Sequence, residues 1–278
     1  MMVATMSFAL MNICIKKLTS LPPIEIVFFR CSIALFIAFI LLKKANEDWI
    51  GSHRKLLVLR GLFGTLALYT FFITLQNMSL ASAVTIQYMS PIFTTIIATL
   101  LFKDKTTPIQ YLFFAISFLG VLLLKGFDDT ITLRLLLIGL VSAICSGFAY
   151  NFVRTLKKRE HPLVVVLHFQ LIGAIIGGVF SIFVWQMPIG IEWVYVLLTG
   201  VFTHFGQLHL TKALQREEIG IVSSVNYLGV FYAFIFGILI FNEAYEWANI
   251  ASVSLVLLGV LLSIIFAQTK KTTTHATH

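Results

Sequence analysis

Along this chain of 278 residues, hydrophobic positions neither alternate with polar ones nor form narrow stripes. They come in long blocks separated by short polar or proline-bearing breaks. A helix crosses about 30 Å of hydrocarbon with about 20 mostly apolar residues. Ten blocks meet that length or come close: 2–17, 24–42, 56–75, 82–102, 109–125, 134–153, 163–184, 192–210, 220–241 and 247–267. The breaks are sharp at Leu21-Pro22-Pro23, Lys43 to Lys55, Lys103-Asp104-Lys105 to Pro108, Arg154 to Pro162 and Met187-Pro188, and very short at Gln76 to Ala81. Every connection is short, so no soluble domain is inserted. The first block has no basic stretch before it and Lys16-Lys17 after it, the reverse of a cleaved signal peptide. The pattern predicts an all-α integral membrane protein with ten transmembrane helices.

The blocks repeat at half the chain length. An offset of 139 residues places Leu119-Gly120-Val121-Leu122-Leu123 on Leu258-Gly259-Val260-Leu261-Leu262 without gaps. It also pairs Asn12 with Asn151, Pro23 with Pro162, Gly61 with Gly200, Leu75-Gln76 with Leu214-Gln215, and Tyr88 with Tyr227. Phe102-Lys103-Asp104 falls on Phe241-Asn242-Glu243. Leu and Phe matches arise easily in so apolar a chain, so the weight rests on Asn, Gln, Tyr, Pro and Gly. Two five-helix units are therefore expected, residues 1–126 and 134–267, with a short tail at 268–278. Because five is odd, the second unit enters the membrane inverted, as in many secondary carriers.

Composition closes off the soluble alternative. The chain is 59% apolar and 12% charged, against roughly 45–50% and about 25% in ordinary soluble domains, and its mean hydropathy is +0.95. Basic residues exceed acidic ones by 20 to 12, and their placement reads as orientation rather than nucleic-acid binding. Fifteen of them, among them Lys43, Lys44, Arg54, Lys55, Arg60, Lys103, Lys105 and Arg154, fall on the side of the N-terminus. Lys16, Lys17, Arg30, Lys125 and Arg134 fall on the other. Both termini are therefore expected in the cytoplasm. Cys14, Cys31 and Cys145 lie inside apolar blocks without metal or disulfide spacing and read as small hydrophobes.

Polar residues inside hydrocarbon mark an interior cavity or a partner helix. They concentrate in spans 1, 3, 4, 6, 8 and 9, which places these six around a central cavity with spans 5 and 10 outside. The candidates are Asn12 in span 1, Tyr69 in span 3, Gln87 and Tyr88 in span 4, Asn151 in span 6, His204 and Gln207 in span 8, and Asn226 and Tyr227 in span 9. Ser223 and Ser224 add to span 9. A single Ser or Thr can instead bond back to its own helix. Pro91 removes a backbone donor and should kink span 4 near the cavity, whereas in the matching region of span 9 Gly229 is expected to loosen the helix instead. Arg30 lies several residues into span 2, suited to a bidentate grip on a carboxylate or phosphate. Its repeat mate is Phe169, so the halves differ there. Lys16, at the end of span 1, can serve the site or snorkel to the interface. No Asp or Glu falls in mid-membrane, which leaves His168, His204 and His209 as titratable groups. Gly173, Gly177, Gly178 and Ala174 fit either close helix packing or a homodimer face.

Several cues together resemble the EamA-type family of the drug/metabolite transporter (DMT) superfamily. They are Asn12 and Lys16 in span 1, Pro23-x-Glu25 and Phe29-Arg30 in span 2, and Leu59-Arg60-Gly61 opening span 3. Ala81-x-Ala83, Gln87-Tyr88-x-Ser90-Pro91 and the helix-ending acids Asp104 and Glu243 complete the set. The resemblance covers nearly the whole chain. It implies inverted five-helix repeats around a cavity, with Asn12, Lys16, Arg30, Gln87 and Tyr88 facing the cavity or its outer gate. Val230 departs from the pattern, standing where a proline often follows in span 9. The resulting expectation is a multi-pass protein of the cell membrane that carries a small polar or zwitterionic metabolite by alternating access. No cofactor, metal, nucleotide domain or catalytic nucleophile is expected. The alternative is a non-transporting scaffold or sensor.

Overall fold

In a computed structural model of the chain, residues 1–102, 108–157, 159–217, 222 and 225–275 are described. Asp104, Ser223 and Ser224 lie outside the described residues. All regular structure among the described residues is helical. The elements are α1 (Met2–Lys17), α2 (Pro23–Lys44), α3 (Arg54–Asn77), α4 (Leu80–Gln87), α5 (Ser90–Phe102) and α6 (Pro108–Phe127). After them come α7 (Leu133–Thr155), α8 (Pro162–Ser181), α9 (Glu192–Arg216), α10 (Leu228–Phe241) and α11 (Trp247–His275). The tail expected after 267 continues α11.

Local chemistry explains the boundaries. Pro23 and Pro162 sit in the first turns of α2 and α8, where the missing N–H would have had no helical partner. The side chains of Ser79, Thr132 and His161 accept from Ser82 N, Leu135 N and Leu163 N and so cap α4, α7 and α8. Asn242 ends α10 in the left-handed region at φ 52°.

Six stretches are long and apolar enough to cross a bilayer: α2, α3, α4 with α5 (Leu80–Leu101), α6, α7 and α8. The apolar helices Leu228–Phe241 and Trp247–Ser263 are shorter, and α1 has 16 residues. α9 is long but carries Thr199, Thr203, His204, Gln207 and Thr211 as buried residues. It is packed between α1, α2 and α8, and a helix shielded by protein need not be apolar all round. Large side chains such as Phe36, Leu100, Leu122, Ile175, Phe180 and Leu239 remain exposed on the outside of the bundle. Such a coat is untenable in water and natural in lipid.

The helix contacts come in matched sets. α3 packs on α7 as α1 packs on α9, α2 on α9 as α8 on α3, and α5 on α7 as α10 on α1. α2 packs on α8 and α4 on α10, and α6 chiefly on α11. Individual atoms follow the same exchange under the 139-residue offset. A Cβ on Gly120 would lie 2.8 Å from Val256 N and 3.0 Å from Ser252 O. One on Gly259 would lie 2.8 Å from Ser117 N and 2.6 Å from Phe113 O. Ser117 Oγ bonds Val256 O, its own offset mate, at 3.2 Å. Gly61 receives Ile172 and Gly200 receives Ile33. Gln76 Nε2 reaches Leu21 O at 3.1 Å, and Gln215 Nε2 reaches Glu160 O at 3.2 Å. The glycines of α8 are used within the chain, Gly173 against Cys31 and Gly177 against the backbone of Phe28.

Two polar clusters tie helix ends together. Glu243 pairs with Lys16 Nζ at 2.8 Å, accepts from Leu80 N at 2.9 Å and accepts the Tyr245 hydroxyl, thereby capping α4 while holding the ends of α1 and α10. Asp128 accepts from Ser79, Ser82 and Thr130. Burial alone would raise its pKa, but these donors outweigh it and hold the carboxyl below its ordinary value.

Gly120→Ala should lower the unfolding midpoint in detergent, by about 1–3 kcal/mol, because two of the three nearest atoms it would meet are backbone and cannot move aside. Gly126→Ala, with nothing within 4 Å, should leave the midpoint unchanged or raised; equal loss in both would refute the tight α6–α11 seam. Glu243→Ala should cost roughly 1–3 kcal/mol and exceed the cost of Lys16→Met, since Glu243 holds three partners. Equal costs would reduce the cluster to a simple ion pair.

Candidate functional site

Where the matched helices meet, they leave a cavity of about 740 Å³, counting its mouth. Asn12, Arg30, Arg60, Gln87, Tyr88, Tyr150, Gln207 and Asn226 supply its larger polar groups, and Met11, Phe71 and Phe169 some of its apolar wall. Five pairs of lining residues are offset mates: Met11 and Tyr150, Arg30 and Phe169, Leu68 and Gln207, Phe71 and Leu210, Gln87 and Asn226. Both halves of the chain therefore contribute equivalent positions.

Arg30 is 0% exposed. Its Nε donates to Thr203 Oγ1 at 2.7 Å, and Nη1 and Nη2 have no hydrogen-bond partner. The guanidinium stands over the Phe72 and Phe169 rings, 5.7 Å from each centroid. Arg60 is 3% exposed; its Nη2 donates to Gln207 Oε1 at 3.3 Å, Nε and Nη1 are unpartnered, and its guanidinium lies 4.2 Å from the Phe169 centroid. Gly64 makes this possible, because a Cβ there would lie 2.1 Å from Arg60 Nη1. The sequence places Arg60 among the cations that mark the N-terminal side of the membrane; the structure turns it inward, into the cavity wall. It is the seventh residue of α3, as Arg30 is the eighth of α2, and that depth was the available signal.

Span 4, expected as one kinked helix, is interrupted at Tyr88 and Met89 between α4 and α5. Met89 N bonds Ile86 O and Ile92 N bonds Met89 O, a local tightening to three-residue spacing. Pro91 lies in the first turn of α5 and outside the cavity lining. An equivalent interruption occurs at Tyr227, where Val230 N bonds Tyr227 O, although no proline is present. The two interruption residues meet: Tyr88 and Tyr227 pack edge to face with centroids 5.8 Å apart. Gly229 provides the seat for Tyr88, whose hydroxyl stands 2.0 Å from where its Cβ would be. The glycine expected to loosen span 9 thus makes room for a ring from span 4.

The amides divide in two. Gln87 is clamped to α7, donating to Ser146 Oγ at 2.8 Å and accepting from Ser142 Oγ at 2.6 Å. Asn12 Oδ1 and Asn226 Oδ1 line the cavity with no donor. Asn151 serves structure, bonding Thr94 O at 2.9 Å and Gly147 O at 3.0 Å outside the lining. Tyr69 packs on the core, His204 is fully buried, and Lys16 is held by Glu243; none of the three lines the cavity. Tyr227 reaches the site only through Tyr88. His168 and His209 bond carbonyls of their own helices, as do Thr5, Ser7, Thr70, Thr85, Thr94 and Thr95.

Chemically, the chamber combines two buried cations, tyrosine rings and two free amide oxygens, with no carboxylate among its lining residues. That suits reversible binding of a polar anion, and no arrangement of nucleophile and base is present in the lining.

Comparison with known proteins agrees with this picture. The model of the EamA-like transporter family matches residues 1–125 and again 133–265. The chain is 28% identical to the pseudopaline exporter of Pseudomonas aeruginosa (strain UCBPP-PA14) over 272 residues, covering 96% of this chain and 94% of that protein. It is 28% identical to solute carrier family 35 member G1 of Homo sapiens, covering 86% of this chain and 71% of that protein. A solved structure, titled only as a crystal structure of a protein, superposes with a TM-score of 0.72 at 15% identity over 96% of both chains, which establishes the shared fold. The family and the two named relatives are transporters rather than enzymes, and the chain is a multi-pass membrane protein belonging to the EamA-like transporter family.

Proposed function

We propose that this protein is a secondary transporter that carries a small polar or zwitterionic organic metabolite, amino-acid-like or nucleoside-like, across the cytoplasmic membrane by alternating access. The observation that carries the reading is Arg30: a fully buried guanidinium, with two free N–H-bearing nitrogens, on the wall of a central cavity. Arg30 holds the substrate's anionic group. Asn12 and Asn226 offer acceptors to an ammonium or hydroxyl, and Tyr88 forms a wall against its apolar part. The exporter and solute-carrier names of the relatives favour transport over a scaffold or sensor.

The architecture belongs to the same proposal. Ten spans form two five-helix units of opposite orientation, residues 1–126 and 134–267, with both termini in the cytoplasm. Support comes from the twofold family match, the matched helix contacts and the offset-mated lining of the cavity. Two halves that can exchange conformations convert a cavity open to one side into one open to the other. The glycines of α8 are already covered by α2, so a homodimer would need a different face.

The test is a thermal-shift screen of the purified protein against a metabolite library, in which ligands raise the unfolding midpoint by mass action. Arg30→Ala should weaken every anionic ligand by about 10–100-fold, the loss of hydrogen bonds to a charged group at about 1.5–3 kcal/mol, and should abolish its movement in reconstituted vesicles. Unchanged binding and transport would remove Arg30 from the site.

A further inference from the structure

We infer that the cavity selects substrates of charge minus two, with Arg60 as the second anchor and the residue that sets this preference. The inference rests on the transport reading above and narrows its small polar substrate to a dianion at the same site, in place of a zwitterion or a neutral nucleoside.

Arg60 could have snorkelled toward the nearer end of α3. Instead it is buried and folded inward over the Phe169 ring, into space kept open by Gly64. The same ring carries Arg30 at 5.7 Å, so the two guanidinium groups are no farther apart than these ring distances combined. Between them, Nη1 and Nη2 of Arg30 and Nε and Nη1 of Arg60 have no partner. Each arginine has one neutral acceptor, Thr203 or Gln207. Among the described residues, the Lys16–Glu243 ion pair and the His53–Glu160 contact involve neither. Water can satisfy a free N–H, but neither water nor a neutral acceptor cancels the charge of a desolvated cation. One monovalent carboxylate would leave one guanidinium uncompensated. A substrate with two carboxylates, or with one doubly ionised phosphoryl group, neutralises both and takes up the free N–H groups of both.

The experiment titrates the purified full-length protein, in nanodiscs of uncharged lipid, with succinate, its monoamide succinamate and its diamide succinamide. Inorganic phosphate under mildly alkaline conditions is a separate arm, and the unfolding midpoint is the readout. Succinate or phosphate should bind at least about tenfold more tightly than succinamate, the scale of one additional charge-assisted contact, and succinamide should not protect. Protection by succinate alone assigns two carboxylates, protection by phosphate alone a phosphoryl group; both support a dianion. Arg60→Gln should erase the advantage of the dianion, so that succinate binds no more tightly than succinamate. Where Arg60→Gln gives no cooperative transition, Arg60→Lys keeps the charge and should keep the preference at reduced affinity. Equal protection by dianion and monoanion in the wild type, a preference surviving in Arg60→Gln, or no protection by any probe would overturn the inference. The two readings fail separately. Dianion binding in a protein that moves nothing across vesicles contradicts transport alone, whereas transport of a neutral or zwitterionic metabolite without a dianion preference contradicts this inference alone.

Discussion

Two positive charges held inside a membrane bundle without a carboxylate between them are the constraint around which the rest of this structure is arranged. Removing such a charge from water costs several kcal/mol even after relaxation. Arg30 and Arg60 are nonetheless buried, each with one neutral hydrogen-bond acceptor and a shared aromatic face at Phe169. That residual imbalance is what a binding site for an anion has and a purely structural core lacks. Ion pairing is used elsewhere, at the helix ends, where Lys16 and Glu243 lock α1, α4 and α10 together. The separation is chemically sensible: compensated charge closes an end of the bundle, and uncompensated charge waits in its middle.

The surroundings of the arginines depend on close backbone approach. Gly64 admits Arg60, Gly229 admits the Tyr88 hydroxyl, and Gly120 and Gly259 let α6 and α11 touch backbone to backbone. The seams recur under the half-chain offset, whereas the charges do not, since Arg30 is mated with Phe169 and Arg60 with Thr199. A frame whose packing is exchangeable and whose chemistry is one-sided can change the side to which its cavity opens while presenting a single set of anchors to the substrate.

Much of the fold was legible in the blocks of hydrophobic residues, because lipid contact forces long apolar runs and leaves polar breaks between them. The half-length repeat was legible through Asn, Gln, Tyr, Pro and Gly, and several of those pairs prove to make equivalent contacts, Gln76 with Gln215 and Gly61 with Gly200 among them. At Tyr227 no proline marks the interruption and only Gly229 pointed to a looser helix there; the edge-to-face meeting of Tyr227 with Tyr88 was not legible. Within the site, Asn12, Arg30, Gln87, Tyr88, Gln207 and Asn226 came from polar type and depth alone. Asn151 and His204 share those properties but face neighbouring helices, a distinction of side-chain direction that spacing along one helix does not carry. Arg60 was hidden by the opposite bias, because a basic residue near a predicted helix start is ordinarily a marker of the interface.

The central claim is that this cavity opens in turn to the two faces of the membrane. Single cysteines at the lining positions Leu68 and Ala149, in a background lacking Cys14, Cys31 and Cys145, can be challenged with a membrane-impermeant maleimide from each face of sealed vesicles. The account predicts that each position reacts from both faces, with bound substrate shifting the balance between them. Reaction from one face alone, with and without substrate, would contradict it.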